Sequence, residues 1–254
     1  MNINRVIPVV VREWVRKRSL HRFLALPRVG TLSFGDLAKL EPVSRRFGED
    51  RGTPIDRFFI EQFLANNAKQ IRGDVLEIGS PRYSRQFGSE TIKSHVLHAT
   101  AGNPEASIIG DLSTGEGVPQ TAFDCIILTQ TLNVIFDLRG VVATLHRSLT
   151  PDGHVLATVP GISQVSRYDM DRWGDYWRLT SLCAAKCFGN SFGTENVKVS
   201  TVGNVFLAAA FLYGLSTEDL PAEALTQVDD DYQLLVLIDA VKRSTASSLT
   251  ALKR

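Results

Sequence analysis

Aromatic and acidic side chains are concentrated in one short stretch of the sequence, between Tyr168 and Arg178. Aromatic faces pack on the C–H surfaces of sugars while carboxylates bind the hydroxyl groups, so this composition is typical of a site for a carbohydrate or another hydroxylated molecule. A carboxylate that loses water on burial can also act as a general base. The alternative is a structural loop whose aromatic side chains plug the domain. The candidate substrate-binding residues are Tyr168, Trp173, Tyr176 and Trp177, and the candidate bases are Asp169, Asp175 and, from another segment, His98.

A second candidate group follows a short apolar segment, Asp74–Ile78, which is predicted to be a β-strand. Glu77 lies near the end of this strand, and Gly79 opens the turn after it. Ligands of doubly wound sheets bind in the crevice at the carboxyl ends of the strands, where a glycine lets the backbone approach the ligand closely. The sequence therefore predicts a ligand site at this edge of the sheet.

These residues need a scaffold that brings strand ends together, and the remaining pattern predicts one. Apolar segments alternate with segments of helical length, which is typical of a parallel sheet with helices on both faces. The further predicted strands are His95–His98, Ser107–Ile109, Phe123–Leu128, His154–Val159, Val197–Val202 and Tyr232–Ala240. Thr53 and Pro54 suit a helix start, Arg139–Leu149 and Thr180–Phe188 suit further helices, and Pro151–Gly153 suits a turn before the fifth strand.

An ordered series of segments runs from the third predicted strand to the fifth. It comprises Ile109–Leu112, Phe123–Leu128, Thr129–Asp137 and Leu145–His154. With Glu77 and Gly79, this series resembles the class I S-adenosylmethionine-dependent methyltransferases over residues 54–242. The resemblance implies an α/β, Rossmann-like doubly wound sheet of seven strands, the last of them antiparallel. A narrower likeness, carried by Val159–Ser163 and Trp173–Thr180, is to methyltransferase-like proteins associated with bacterial glycosyl transfer and natural-product clusters.

The resemblance implies that the cofactor is S-adenosyl-L-methionine, and it assigns roles to the matching residues. Asp111 would accept a hydrogen bond from the adenine amino group, and Leu112 would pack beside the adenine ring. The other implied cofactor contacts are Glu77, Gly79, Ser80, Thr129 and Gln130 on the methionine side, with His98 at the ribose.

Two departures from the family pattern affect these roles. Pro81 and Tyr83 stand at the second and third glycine positions of the loop, and the second strand ends in His98 where the family has a ribose-binding carboxylate. Proline lacks an N–H group, and tyrosine adds bulk where the backbone should approach the ligand. Two hypotheses follow. The first is an O-methyltransferase acting on a sugar, glycolipid or hydroxylated metabolite. The second is a catalytically silent protein of the same fold that binds a partner in glycan or glycolipid assembly.

The charge distribution limits the partners. Lys and Arg number 28 against 27 Asp and Glu, so the net charge is +1 and nucleic-acid binding is not expected. Residues 1–24 are basic with interleaved apolar positions, which suits a helix on a membrane surface or a protein partner, or a helix that caps the domain. Cys183 and Cys187 lack a second pair of ligands, so no metal site is expected.

Three regions are predicted along the chain. Residues 1–53 form a basic, partly helical extension, residues 54–243 form the methyltransferase-like domain, and residues 244–254 form a flexible tail. The chain shows neither a secretory signal pattern nor a long apolar stretch, and we therefore expect a cytoplasmic protein that is peripheral to a membrane if residues 1–24 bind one.

Overall fold

The computed structural model describes residues 30–33 and 35–243, and the chain divides into two compact units between Glu41 and Pro42. In the first unit, the described part contains a turn of 3₁₀-helix, Gly35–Ala38. The predicted basic helix within residues 1–24 and the predicted tail at 244–254 lie outside the described residues.

A seven-stranded sheet forms the centre of the second unit, with the strand order β3-β2-β1-β4-β5-β7-β6. The strands are β1 (Asp74–Ile78), β2 (Lys93–His98), β3 (Ile108–Ile109), β4 (Phe123–Thr129), β5 (Leu149–Pro160), β6 (Val197–Val202) and β7 (Leu235–Val241). Strands β1 to β5 pair in parallel, whereas β7 is antiparallel to both β5 and β6. This topology confirms the predicted doubly wound fold and places the switch point between β1 and β4.

Helices cover both faces of the sheet. They are α1 (Ile55–Asn66), α2 (Arg82–Phe87), α3 (Leu138–Ser148), α4 (Arg167–Met170), α5 (Ser181–Phe192) and α6 (Val205–Leu212). Successive strand residues point to opposite faces. Val75 therefore joins a core with α1, α2 and α6, while Leu76 joins a core with α3 and α5.

Side-chain caps explain where several helices begin. Asp137 accepts the N–H of Gly140, Thr180 that of Cys183, and Asn204 that of Leu207, so each satisfies a backbone donor in the first turn. Helix α1 begins one residue later than an N-cap at Thr53 would place it, because the Thr53 hydroxyl donates to Glu218 Oε1 at 2.9 Å instead.

The predicted turn at Pro151–Gly153 is wrong, since these residues lie inside β5. Phe123 pairs with Leu149 but Cys125 pairs with His154, so the extra residues of β5 bulge while the strand continues. Backbone hydrogen bonds between Asp152 and Lys242 (2.6 Å) and between Lys242 and Gly153 (2.9 Å) join the bulge to the chain that follows β7. Only the chain that follows β7 supplies these partners, so local turn propensity did not reveal them.

Residues 42–53 contact the sheet domain directly. The N–H groups of Val43 and Ser44 donate to the carbonyl of Tyr213, at 2.8 and 3.2 Å, and Arg51 pairs with Asp219. The predicted domain boundary between residues 53 and 54 stays a prediction. Val43, Ser44 and Arg51, which make these contacts, lie on the N-terminal side of that boundary. Over the described residues, the helices are too short or too polar to cross a bilayer.

The two faces of α5 predict a clear contrast in stability. Phe188 is 1% exposed in the core, whereas Leu182 is 77% exposed on the same helix. We expect Phe188→Ala to lower the free energy of unfolding by about 3–5 kcal/mol, because the truncation removes buried area and leaves a cavity. Leu182→Ala, the matched control, should change it by less than about 0.5 kcal/mol. Urea denaturation followed by circular dichroism measures both, and equal effects would contradict this description of the core.

Candidate active site

A cleft of about 330 Å³ opens at the carboxyl ends of β1, β2 and β4. We call it the main cleft. It brings together seven of the residues that the sequence nominated: Gly79, His98, Asp111, Leu112, Gln130, Asp169 and Trp173. The rest of its lining is Ile78, Leu97, Ala99, Gly110, Thr131, Val134 and Ile135.

The turn after β1 presents backbone to the main cleft at Gly79. This glycine has φ +80°, and a side chain there would meet no described atom within 4 Å, so the space in front of it is open. Its N–H donates to the carbonyl of Leu97 at 3.0 Å, and its carbonyl accepts the side-chain amide of Asn103 at 2.6 Å. Asn103 was not among the candidates, because its contact joins two loops that are 24 residues apart in sequence.

Glu77 lies outside the lining of the main cleft. Its carboxylate is buried and accepts the backbone N–H groups of Tyr83 (2.9 Å) and Ser84 (2.8 Å) at the start of α2. Burial raises the pKa of Glu77, although these bonds oppose the shift. The observed contacts are those of a helix-capping group, and the contact predicted for Glu77 with the cofactor stays a prediction, as does that of the neighbouring Ser80.

The two substitutions in the glycine loop leave the main cleft open. Pro81 precedes the first residue of α2, where a missing N–H has no intrahelical cost. The Tyr83 side chain is 9% exposed, packs in the core beneath α1 and α2, and stacks on Phe87 with ring centroids 6.2 Å apart. Tyr83 does not line the main cleft.

Asp111 supplies an ionised acceptor on the opposite wall. Its Oδ1 accepts both the N–H and the hydroxyl of Ser113 at 2.7 Å, and these bonds hold the pKa of Asp111 below its ordinary value. Leu112 lies buried beside it. The arrangement combines a carboxylate with an apolar surface, as a flat heterocycle with an exocyclic amino group requires.

His98 and Trp173 meet across the mouth of the main cleft. Their rings form an edge-to-face contact with centroids 5.6 Å apart, and they come from the end of β2 and from the segment after α4. His98 Nδ1 lies 2.7 Å from the carbonyl oxygen of Thr100, which orients the ring. The contact therefore links two walls of the cleft that are distant in sequence.

Gln130 separates the main cleft from a second cavity. This side cavity has a volume of about 220 Å³ and is also lined by Asp56, Arg57, Tyr83 and Thr129. Thr129 thus lines the side cavity, whereas Gln130 lines both cavities. A resemblance that pairs Thr129 with Gln130 did not indicate that only Gln130 also lines the main cleft.

Asp175 stabilises the segment after β5 through an ion pair and hydrogen bonds. Its fully buried side chain pairs with Arg178 through two bonds of 2.7 and 2.8 Å and also accepts the Ser166 N–H (2.9 Å) and the Asn133 side-chain amide (3.1 Å). Burial alone would raise the pKa of Asp175, but these bonds hold it below its ordinary value. Asp175 does not line the main cleft, and its bonds leave it poorly placed for the base role that the sequence suggested.

The other aromatic candidates lie around the main cleft rather than in its lining. The Trp177 indole N–H donates to the carbonyls of Ile135 and Phe136 at 3.2 Å, and its ring stacks on Phe136. Tyr176 contacts Phe136 edge to face and is half exposed. Tyr168 lies under the guanidinium of Arg172, 3.7 Å from its ring centroid. Their substrate roles stay predictions.

The Asp175–Arg178 pair generates a pH-dependent prediction. Folding lowers the pKa of Asp175, so its ionised form stabilises the folded state. This contribution to the free energy of unfolding is fully present above the unfolded-state pKa of about 4 and is lost as the pH falls through the folded-state pKa. Asp175→Asn should lower the free energy of unfolding by about 3 kcal/mol at pH 7, and the difference from wild type should shrink below about pH 4. Urea titrations at several pH values measure this. Asp171→Asn, in an exposed pair with Arg167, is the control and should cost less than about 1 kcal/mol; an equal loss in the two variants would refute the structural role of Asp175.

The residues of the main cleft fit S-adenosyl-L-methionine. Its volume falls in the range of roughly 300–1,000 Å³ that is usual for small-molecule sites. Leu97, Leu112 and Val134 offer apolar surface for the adenine ring, and Asp111 offers an ionised acceptor for its amino group. Open space at Gly79 leaves room for the ligand beyond the ring.

Solved structures of methyltransferases are similar to this chain at low sequence identity. A SAM-dependent methyltransferase from Archaeoglobus fulgidus has a TM-score of 0.47 and 10% identity, over 73% of this chain and 94% of that one. One from Mesorhizobium loti has a TM-score of 0.45 and 14% identity, over 76% and 100%. Phosphoethanolamine N-methyltransferase 2 from Haemonchus contortus, in complex with S-adenosyl-L-methionine, has a TM-score of 0.46 and 14% identity, over 80% and 61%.

The sequence itself matches a protein family. Comparison with curated proteins finds no significant match. The profile of the methyltransferase-domain family matches residues 45–198, which is more than half of the chain and spans the strands from β1 to β5. The chain therefore belongs to this family of methyltransferase domains, and its cofactor is S-adenosyl-L-methionine.

Proposed function

We propose that the protein is an O-methyltransferase that transfers the methyl group of S-adenosyl-L-methionine to a hydroxyl group of a sugar, glycolipid or hydroxylated metabolite. The observation that carries the proposal is the open main cleft at the switch point of the sheet. Tyr83, which would obstruct cofactor binding if it filled the cleft, packs against Phe87 instead. The open cleft favours the enzyme over a silent protein of the same fold.

The cofactor's chemistry is an electrophilic methyl group on a sulfonium ion, and the chain's own residues orient it. Asp111 and Leu112 hold the adenine end, and His98 hydrogen-bonds a ribose hydroxyl in place of the family's carboxylate. Gly79 and Gln130 line the methionine side of the main cleft, and Gln130 also lines the side cavity. Most of the rate enhancement would come from aligning the acceptor with the methyl group and removing water from both.

Asp169 is the carboxylate best placed to receive the proton of the acceptor. It is half-buried in the lining of the main cleft beside Trp173, whereas Asp175 lies outside that lining. When bound, S-adenosyl-L-methionine would supply its methyl group to the acceptor oxygen and leave as the neutral thioether, and Asp169 would receive the hydroxyl proton. His98 is a further basic group in the same lining.

The rim of the main cleft suits an acceptor with flat C–H surfaces. Trp173 is 40% exposed and lines the cleft, and Tyr176 and Phe136 form an exposed aromatic pair on the adjoining loops. Aromatic faces of this kind pack on sugar rings, which supports a carbohydrate acceptor.

Cofactor binding is tested most directly by isothermal titration with S-adenosylhomocysteine. We expect micromolar affinity for the wild type and about tenfold weaker binding for Asp111→Ala, because a charge-assisted hydrogen bond is lost. Glu116→Ala, an exposed change in the same loop, should bind as the wild type does. Absence of heat for the wild type at millimolar ligand would count against the proposed enzyme and favour the silent binding protein.

The role of Asp169 is tested by turnover with a panel of sugars and glycosides, measured as S-adenosylhomocysteine release. We expect Asp169→Asn to lower kcat by about a hundredfold or more with little change in cofactor affinity, since general-base catalysis typically contributes this much. Asp171→Asn removes an exposed carboxylate two residues away and should retain activity. Equal activity in all three proteins would rule out Asp169 as the base.

A further inference from the structure

The side cavity contains polar groups that the proposed reaction does not yet use. Asp56 and Arg57 reach it from the first turn of α1, and Gln130 reaches it from the end of β4. Asp56 and Arg57 thus place a carboxylate and a guanidinium on consecutive residues of the side cavity, which is also lined by the exposed ion pair of Arg46 and Glu49. This pairing of charges matches a zwitterion, such as the amino and carboxylate groups of an α-amino acid.

Gln130 is held in an unusual position. Its backbone is left-handed, with φ +47°, and its N–H donates to the carbonyl of Thr158 at 3.0 Å. Its side-chain Nε2 donates to Asp56 Oδ2, also at 3.0 Å. This contact places the amide nitrogen towards Asp56 and the amide oxygen away from it.

The other end of the amide lacks a partner. Gln130 Oε1 is buried and accepts no hydrogen bond from any residue that the structure describes. A buried acceptor in this state is costly unless a ligand or an ordered water donates to it. Asp56 therefore holds an acceptor oxygen ready at the boundary between the two cavities.

The turn after β1 has few N–H groups to offer an anionic ligand. Pro81 has none, and those of Tyr83 and Ser84 already donate to Glu77. Arg57 lines the side cavity, and its contact with Glu49 is long, at 3.5 Å. Because a guanidinium carries five N–H donors, Arg57 can pair with a second carboxylate near Gln130 besides Glu49.

We propose that Asp56 is a positioning residue for Gln130 and that the side cavity holds the amino-acid end of the cofactor. Gln130 Oε1 accepts a hydrogen bond from the ammonium group, and Arg57 pairs with the carboxylate. These side chains take the place of backbone donors that the altered glycine loop lacks. The inference rests on the proposed function insofar as the adenosine part must occupy the main cleft.

Burial raises the pKa of Asp56, whereas the hydrogen bonds that it accepts from Gln130 and from the Arg57 N–H act to lower it. An ammonium group nearby would favour the ionised form, which is consistent with a site whose second charge arrives with the ligand.

Two nucleosides test the inference by calorimetry. S-adenosylhomocysteine carries the amino-acid end, and 5′-methylthioadenosine lacks it. We expect Asp56→Asn and Arg57→Gln each to weaken binding of S-adenosylhomocysteine about ten- to a hundredfold, as loss of a bond to a charged group does, while affinity for 5′-methylthioadenosine stays within about twofold. Glu61→Gln, on the same helix but paired with Arg82 outside the side cavity, is the control and should change neither affinity.

A rescue variant separates positioning from mere structure. In Asp56→Asn the new amide can donate to Gln130 Oε1 and occupy the acceptor. Adding Gln130→Glu supplies a second carboxylate oxygen, so the double variant should recover most of the lost affinity for S-adenosylhomocysteine. A general packing role for Asp56 predicts no such recovery. Thermal denaturation of each variant checks that it is folded.

The outcomes are distinguishable. Equal weakening of both nucleosides, unchanged binding of S-adenosylhomocysteine in Asp56→Asn and Arg57→Gln, or failure of the double variant to recover would overturn the inference while leaving the proposed function intact. If the wild type binds neither nucleoside, the proposed function itself fails and this inference fails with it. If Asp56→Asn does not fold, Arg57→Gln alone decides the assignment of the side cavity.

Discussion

The buried carboxylate of Glu77 is the contact on which the architecture of the main cleft depends. Its two oxygens accept the N–H groups of Tyr83 and Ser84, so the first turn of α2 is held against the end of β1. A carboxylate at this depth is stable only with such partners. With the turn held in this way, the Tyr83 ring packs against Phe87 and Gly79 faces the cleft. The loop thus departs from the family sequence while the cleft stays open.

A second buried carboxylate stabilises the wall of the main cleft that the segments after β4 and β5 form. Asp175 binds Arg178, the Ser166 N–H and the side chain of Asn133, and Asn133 belongs to the turn that follows β4. One group therefore ties the segments after β4 and β5 together. Because Trp173 lies two residues before this anchor, its ring is placed against His98 at the mouth of the cleft. Polar networks of this kind hold a site in place before the ligand arrives, although Asn133 Oδ1 and Arg178 Nε have no hydrogen-bond partner among the described residues.

Gln130 stands between these two walls, and its conformation is the feature least expected of an ordinary loop. A left-handed backbone at a residue other than glycine is costly and tends to persist at functional sites, where the surroundings over-determine it. Here the bond to Thr158 and the bond to Asp56 hold it. Because Gln130 lies between the main cleft and the side cavity, the strained backbone orients its amide before a ligand binds.

The sequence alone determined the fold class, because near-continuous apolar strands separated by helical segments have few stable arrangements other than a doubly wound sheet. It also predicted half of the residues that line the main cleft. Gly79, His98, Asp111 and Gln130 lie at or just after the ends of strands, and the topology brings those ends together. Local pattern could not reveal the bulge within β5, whose partners follow β7.

Which acidic and aromatic residues face the cleft was decided only by tertiary structure. Asp169 and Asp175 look equivalent in sequence. Asp169 lines the main cleft, whereas Asp175 is buried in an ion pair with Arg178. The same holds for Trp173 and Trp177, whose indole N–H is taken by the backbone after β4. Composition and spacing indicate which groups are capable of chemistry. Their partners come from segments far along the chain, and hydrogen bonding by those partners determines which groups remain free to perform it.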